Sequence, residues 1–327
     1  MKSPLFLIGM PRSGTKLLRG LLVSHSKIFI PRVETEFLPY WVRRWSDYGD
    51  LSKPENFHVF YQEVTKFPYF LHIQKKGTII SEKTWYEWCK GDFSVARVFE
   101  ALIRHKVGLP DECEGIWGDK SPSYIGHLPL LRQLYPNAQF IHILRDVRDY
   151  SLSVQKAWGK SPVRAAQRWV DGVEQVRRDA ANFPDHYLEI RYEDLLSHPD
   201  DMIRKCCLFL DVEYEDGMIE KAAYNLTENR GDAKGYTTIK SDNAQKYKVR
   251  MSKDLQRKIE RIAIDTLHSC GYETSYSGKP VRVSSLPMFL YQILDGINLF
   301  LVRFKQRGIL SSLKFELRYF WVSGNRN

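Results

Sequence analysis

The stretch from Leu5 to Leu22 constrains the fold more than any other part of the chain. A four-residue apolar run, Leu5 to Ile8, is typical of a buried parallel strand, and the apolar residues from Leu17 onward have helical spacing. Residues 9–16 must therefore form the turn between a strand and a helix. Such a turn directs backbone N–H groups and the positive end of a helix dipole toward one point. The sequence predicts an anion site there.

The residues of this turn suit a phosphate group. Gly9 and Gly14 permit a tight backbone path. Cationic and hydroxyl side chains add charge and hydrogen-bond donors around it, namely Arg12, Ser13, Thr15 and Lys16. An ordinary glycine-containing turn remains the alternative when this stretch is considered alone.

The spacing of the two glycines is that of a P-loop, but the residue order is not. That motif ends in Lys followed by Ser or Thr, whereas here Thr15 precedes Lys16. A P-loop kinase uses its Ser or Thr to hold Mg²⁺ and its Lys to reach the terminal phosphates. The reversed order therefore argues against a metal-dependent nucleoside triphosphatase or kinase, and we predict a P-loop-like site without a metal ion.

The charge of the chain favours an anionic partner. Its formal net charge is +10 over 327 residues, which suits a nucleotide, a sulfated or phosphorylated acceptor, or a membrane surface. The sequence has no Lys- and Arg-rich block with interleaved aromatic residues, so we expect no nucleic-acid partner. With 43% hydrophobic residues, the chain can bury a full core without disulfides or metals.

The sequence indicates a protein of the cytoplasm, or one held peripherally at a membrane. Its five cysteines form no Cys-x-x-Cys pair, which favours a reducing compartment. The first apolar strand follows residues 1–4 directly, which leaves no room for a signal peptide or an N-terminal anchor. No uninterrupted apolar run reaches about 18 residues, so no membrane span is expected.

Strand and helix patterns alternate along the chain, which predicts an α/β fold with a doubly wound parallel sheet. The predicted extended segments are residues 5–8, 28–33, 115–120, 139–144 and 187–191. The predicted helices after the first are residues 94–106, 124–135, 150–157, 162–182, 200–210 and 253–270. Residues 42–93 have no clear period, and we assign them to loops and short helices of an insertion, at about 35–93, that faces the acceptor.

A second anion site is predicted where the strand at 139–144 ends. Arg145 lies at its carboxyl end, where ligands bind in open α/β sheets, and Ser153 follows eight residues later on the next helix. Both can face a phosphate at the edge of the sheet. Arg148 is expected to pair with Asp146 or Asp149 as part of the structure, and a charged strand–helix junction without a ligand remains the alternative.

Together, the segments Pro11–Thr15 and Arg145–Ser153 resemble the sulfotransferases that use 3′-phosphoadenosine 5′-phosphosulfate (PAPS). Within that family, the chain is most similar to the branch that includes protein-tyrosine sulfotransferases and many bacterial members. The likeness covers nearly all of residues 4–273 and includes three supporting motifs, at residues 118–122, 140–146 and 190–195. The resemblance implies transfer of a sulfuryl group from PAPS to an acceptor hydroxyl, with the product PAP and without a metal ion.

The resemblance also implies which residues bind the donor. The first loop would hold the 5′-phosphosulfate through Arg12, Ser13, Gly14, Thr15 and Lys16, with Arg12 nearest the bridging oxygen. Arg145 and Ser153 match the pair that binds the 3′-phosphate, and Tyr192 matches a position near the adenine. Lys246, in a loop at residues 231–250, resembles a lysine that closes over the 3′-phosphate when nucleotide is present.

The catalytic assignments follow the same resemblance. Transfer needs a base for the acceptor proton and cations for the leaving phosphate. Glu34 matches the family's base, with Glu36 as the fallback, and Lys120 matches a lysine that contacts the sulfuryl group and the bridging oxygen, beside Arg12. Judged in isolation, either glutamate is an exposed loop charge and Lys120 a surface lysine. Tyrosine sulfotransferases have an Arg where this chain has Glu36, which argues against a tyrosine acceptor.

The composition changes beyond Gly271. We divide the chain into a sulfotransferase domain, residues 1–275, and a C-terminal helical extension, residues 276–327. Residues 286–302 are strongly apolar and basic residues follow, so residues 286–322 are expected to contact a membrane surface, the domain itself or a second copy in a homodimer.

The acceptor is the least determined part of the prediction. The basic, apolar extension favours a carbohydrate or lipid-linked hydroxyl over protein tyrosine and over a soluble phenol or alcohol. A nucleoside or sugar kinase and a non-catalytic nucleotide-binding protein remain the alternatives of other classes.

Overall fold

A computed structural model of the chain describes residues 3–74, 79–110, 112–223 and 237–307. Five strands form one sheet in the order β2-β3-β1-β4-β5, and every neighbouring pair is parallel. Their bounds are β1 Leu5–Ile8, β2 Ile28–Phe29, β3 Ile116–Lys120, β4 Gln139–Leu144 and β5 Tyr187–Arg191. Helices connect the strands and cover the sheet, so the predicted α/β parallel architecture is confirmed.

The helices of the described residues range from single turns to more than six turns in length. In chain order they are α1 Thr15–Leu22, α2 Leu38–Arg44, α3 Pro54–Val64, α4 Pro68–Gln74, α5 Glu82–Cys89, α6 Val95–Val107, α7 Leu128–Leu134, α8 Val147–Trp158, α9 Pro162–Ala180, α10 Tyr192–Ser197, α11 Pro199–Phe209, α12 Met218–Lys221, α13 Tyr247–Arg250, α14 Lys253–Ser269 and α15 Ser285–Arg307. Short 3₁₀ turns occupy Trp45–Tyr48, Pro122–Gly126 and Pro184–His186.

Two predicted elements differ from the structure. The extended segment at residues 28–33 pairs only over Ile28–Phe29, because the carbonyls of Ile30 and Pro31 accept hydrogen bonds from the buried Arg19 guanidinium instead of from a strand. The single helix expected at residues 124–135 is a 3₁₀ turn followed by α7. Prolines at the start of both pieces favour separate helical beginnings.

The segment without sequence periodicity folds into helices around a buried aromatic cluster. Trp41, Phe60 and Trp85 are fully buried there, with ring centroids 5.2 to 6.0 Å apart. The same cluster continues to Phe6 of β1, so α2 to α6 cover one face of the sheet. Because these rings bury a large apolar area, the cluster holds this part of the chain without a regular helical stripe.

Buried ion pairs fix the junction between β4 and α8. Arg148 donates to both carboxylate oxygens of Asp146, at 2.9 and 2.6 Å, and to Glu260 of α14 at 2.7 Å. Asp146 also caps α8, since it accepts from the Arg148 N–H at 2.8 Å. Arg148 is therefore structural, and it sets the position of the residues that follow β4.

The first helical part of the C-terminal extension is α15, which packs against α8 and α9. Asp295, near its middle, accepts hydrogen bonds from the Ser161 N–H at 2.6 Å and from Arg164 at 3.0 Å. By length and composition alone, Ser285–Val302 would suffice to cross a membrane. The rest of the predicted extension, residues 308–327, lies outside the described residues.

Candidate active site

A cavity of about 790 Å³ opens at the carboxyl edge of the sheet. Residues that follow each of the five strands contribute to its wall, including Arg12, Glu34, Ser123, Arg145 and Tyr192. This is the edge at which ligands bind in open parallel sheets. Residues of both predicted anion sites, among them Arg12 and Arg145, therefore lie on the wall of one cavity.

The first loop has the geometry of an anion cradle. Arg12 has a φ of +78° and Gly14 a φ of +100°, so the backbone turns sharply before α1 begins. A Cβ at Gly14 would lie 2.4 Å from the Tyr192 ring, so only glycine fits there. No side chain of the described residues caps the N-terminus of α1, whose first turn carries Thr15 and Lys16 on the cavity wall. The helix dipole is thus directed into the cavity.

A hydroxyl in this loop is buried without a hydrogen-bond partner. Ser13 is 1% exposed, and its Oγ has no such partner among the described residues. An unsatisfied buried hydroxyl is costly unless a ligand satisfies it. Ser13 Oγ therefore fits a bound oxyanion.

Arg145 joins the first loop to the region after β4. It donates from Nη1 to the Arg12 carbonyl at 3.1 Å and from Nη2 to the Asn243 carbonyl at 3.0 Å. Its guanidinium lies 4.7 Å from the centroid of the Tyr192 ring. Its buried Nε has no partner within the described part of the chain. Ser153 is close by, because its Oγ accepts from Arg12 Nε at 3.2 Å.

Sequence reasoning missed Asn243. Its Nδ2 donates to the Tyr192 hydroxyl at 2.7 Å, and it lines the cavity together with Lys240. Lys246, the residue expected at the 3′-phosphate, donates to Asn243 Oδ1 and lies behind it, off the cavity wall. The Gly-, Lys- and Thr-rich composition predicted a loop that closes over the ligand. Which of its lysines lines the cavity is decided by packing, and that residue is Lys240. Residues 231–236 of the loop lie outside the described residues.

Glu34 and Lys120 meet in an ion pair although they are 86 residues apart in the sequence. Lys120 is the last residue of β3, and its side chain is fully buried, whereas the side chain of Glu34 is 32% exposed and lines the cavity. A carboxylate at the cavity wall thus has a cation directly behind it.

The loop that carries Glu34 is pinned to the end of β3. Thr35 donates from Oγ1 to Asp119 at 2.8 Å, and its N–H donates to Ser121 Oγ at 3.1 Å. Burial raises the pKa of Asp119 to about 6, because a charged carboxylate is poorly solvated there. Glu36 also lines the cavity, with a φ of +58°. Asp119 therefore holds the loop that presents both glutamates.

The far end of the cavity is lined by α8, α9 and α15. Lys160, Arg164 and Arg168 contribute there, and so do Asp295 and Leu299 of α15. Residues 35–93 are predicted to face the acceptor. Within the described part of this range, Glu36 alone lines the cavity. The helices of that range pack around the aromatic cluster instead.

Comparison with known proteins identifies a family. The model described as "Sulfotransferase family" matches residues 4–216. A putative protein-tyrosine sulfotransferase of Caenorhabditis briggsae is 24% identical over 298 residues, which cover 84% of this chain and 91% of that protein. The protein-tyrosine sulfotransferase of Drosophila melanogaster is 24% identical over 225 residues, which cover 66% of this chain but only 39% of that protein.

Solved structures share the fold. The sulfotransferase domain from the curacin biosynthetic pathway is 23% identical and has a TM-score of 0.55, with 84% of this chain and 99% of that domain covered. The sulfotransferase domain of the Synechococcus PCC 7002 olefin synthase is 22% identical and has a TM-score of 0.53, with 84% of this chain and 97% of that domain covered. At this identity the likeness concerns the fold.

Proposed function

The chain belongs to the sulfotransferase family, and we propose that it transfers a sulfuryl group from PAPS to an acceptor hydroxyl, with Glu34 as general base. The observation that carries the proposal is the ion pair of Glu34 with Lys120: Glu34 lines the cavity that the first loop also lines, and the buried Lys120 lies behind it. Two anion sites in one cavity match a donor that is phosphorylated at both ends.

The chain's own residues suit this donor. The unsatisfied Ser13 Oγ and the first turn of α1, with Arg12, Gly14, Thr15 and Lys16, would hold the 5′-phosphosulfate. The unsatisfied Arg145 Nε and Ser153 would hold the 3′-phosphate. Tyr192, stacked on Arg145, would bound the adenine side, and Lys246 would act on the 3′-phosphate side through Asn243. We propose no metal ion in the reaction.

The transfer follows from these positions. Glu34 takes the proton of the acceptor hydroxyl while the hydroxyl oxygen forms a bond to the sulfur of PAPS. The bond from sulfur to the bridging oxygen breaks, and PAP leaves with the electron pair. Arg12 and Lys120 supply the positive charge that stabilises the developing charge on the phosphate and sulfuryl oxygens.

The acceptor we favour is a carbohydrate or lipid-linked hydroxyl. Glu36 stands on the cavity wall at the position where the resemblance to tyrosine sulfotransferases would call for an arginine. A tyrosine acceptor in an acidic peptide would suit a site lined by arginine. A glutamate at this position repels an acidic peptide and therefore disfavours it. The far end of the cavity, with its apolar and basic lining, suits an amphiphile.

The first test is thermal stabilisation by PAP without a metal, beside ATP with Mg²⁺. A ligand at roughly 100 times its dissociation constant adds about 2.7 kcal/mol to the free energy of unfolding, which raises Tm by several degrees. We expect PAP to stabilise the chain and ATP with Mg²⁺ not to. Stabilisation by ATP with Mg²⁺ alone would mean a kinase, and PAP binding without sulfuryl transfer to any hydroxyl would mean a binding protein.

The Arg145→Ala variant tests the 3′-phosphate site. We expect its dissociation constant for PAP to rise roughly 10- to 100-fold, because charge-assisted hydrogen bonds to the phosphate are lost. Its affinity for 5′-AMP, which lacks the 3′-phosphate, should change much less. Calorimetric titration measures both. Arg168→Ala is the matched control, since Arg168 lines the far end of the same cavity; an equal loss in that variant contradicts the assignment.

A further inference from the structure

The helix α15 exposes a continuous apolar face. Large side chains recur at intervals of three and four residues, and Phe289, Leu290, Ile293, Leu294, Ile297 and Leu301 are between 46% and 58% exposed. None of these six side chains carries a hydrogen-bond donor or acceptor. An exposed apolar stripe of this length marks a surface that is covered in the functional state.

The opposite face of α15 is held on the domain. Asp295 is 4% exposed and binds the Ser161 N–H and Arg164, and Asn298 Nδ2 donates to the Gly159 carbonyl at 2.9 Å. Asp295 lies within the stretch Ser285–Val302 that has the composition of a span. Crossing a bilayer would strip this carboxylate of its partners and carry it into the hydrocarbon, which is strongly unfavourable. The contacts therefore keep α15 lying flat along the domain.

From this geometry we propose that α15 lies in the headgroup boundary of an anionic membrane, and that the acceptor is a membrane amphiphile that enters the cavity beside it. A flat helix with one apolar face, on a basic protein, has the form of an interfacial membrane helix. The net charge of the chain, +10, and the basic residues that its sequence carries after residue 302 complement anionic lipid.

The same helix connects the membrane face to the reaction cavity. Leu299 and Asp295 line the cavity that Glu34 also lines. α15 thus separates the proposed bilayer from the cavity by the thickness of one helix, about 10 Å. A hydroxyl in the headgroup of a bilayer lipid can reach such a cavity while its chains remain in the membrane. This second half of the inference rests on the proposed function, whereas membrane binding does not.

Vesicle flotation of the full chain tests membrane binding. We expect the chain to float with vesicles of phosphatidylcholine and phosphatidylserine, and less with phosphatidylcholine alone. Leu294→Asp should lower the partition coefficient roughly tenfold or more, because it places a charge on the buried apolar face. Leu208→Asp is the matched control, since Leu208 of α11 is 83% exposed elsewhere on the surface. Both variants should still be stabilised by PAP, which shows that folding and donor binding are intact when membrane binding is lost.

Three results would overturn the membrane half. The first is a chain that stays in the soluble fraction with both kinds of vesicle. The second is a Leu208→Asp variant that weakens flotation as much as Leu294→Asp does. The third is a dimer, detected by light scattering without any vesicle binding, that Leu294→Asp converts to a monomer; this would assign the face to a second copy of the chain.

Sulfur-labelled PAPS tests the acceptor half. The chain and labelled PAPS are incubated with the membrane fraction and, separately, with the aqueous metabolite fraction of source cells. We expect label in the membrane lipids, and less of it with Leu294→Asp. Label confined to aqueous metabolites would overturn the amphiphilic acceptor and leave the sulfotransferase function intact.

Discussion

Replacement of Glu34 by Gln is expected to lower kcat by roughly 10²- to 10⁴-fold, the range that a general base contributes. The amide has the size of the carboxylate but cannot take the acceptor proton. The affinity for PAP should change little, since Glu34 contacts Lys120 rather than either anion site. The measurement is PAP release at saturating PAPS and acceptor, beside calorimetric titration with PAP.

Glu36→Gln is the matched control for this variant. Glu36 is the same residue type, two positions along the same loop and on the same cavity wall. It is not the residue paired with Lys120, so we expect it to lose less than tenfold in kcat. If Glu36→Gln loses activity and Glu34→Gln keeps it, the base is Glu36 and the assignment of Glu34 is wrong.

The second large effect is expected for Lys120→Met, which should lower kcat by roughly 10²- to 10³-fold. Methionine keeps much of the length of the side chain at this buried position but removes the ammonium that we propose stabilises the leaving phosphate. Glu34 is partly exposed, so water can solvate it in this variant, and the fold should persist. Kinetics and thermal unfolding, measured on the same preparation, separate catalysis from stability.

The double variant Glu34→Gln with Lys120→Met tests whether the pair acts as a unit. Residues in direct contact have non-additive effects, so the double variant should be little slower than the slower single variant. Losses that multiply in full would mean that the two side chains act independently. Full turnover of Lys120→Met alone would remove Lys120 from the mechanism.

Much of the backbone that forms the candidate site could be predicted from local sequence. The strand Leu5–Ile8, the two glycines and the helix that follows form a contiguous unit, and the chain around Arg145 forms another. Each unit has its own hydrophobic period and turn residues, so each could be interpreted without knowledge of the rest. Parallel strands place their carboxyl ends at one edge, so the two units lie at the same edge of the sheet.

The prediction was weaker where packing between distant segments decides the outcome. Residues 42–93 lack a helical stripe because their helices bury aromatic rings from several sides around Trp41 and Trp85. Lys246 was predicted to bind the ligand, but Lys240 lines the cavity. Which lysine does so depends on how the loop after residue 236 packs, and Asn243 fixes that packing by its hydrogen bond to Tyr192. Neither arrangement has a local sequence period that would reveal it.

Local sequence was enough to predict the strand, turn and helix of the first loop, the parallel sheet and the family, because these depend on short-range periodicity and on motifs with fixed spacing. Three features became visible in the folded chain alone: Glu34 meets Lys120, Asp119 holds the loop that carries Glu34, and α15 keeps one face on the domain and exposes the other. A pair of side chains 86 residues apart is brought together by strand order and core packing, and no local sequence pattern records either of these.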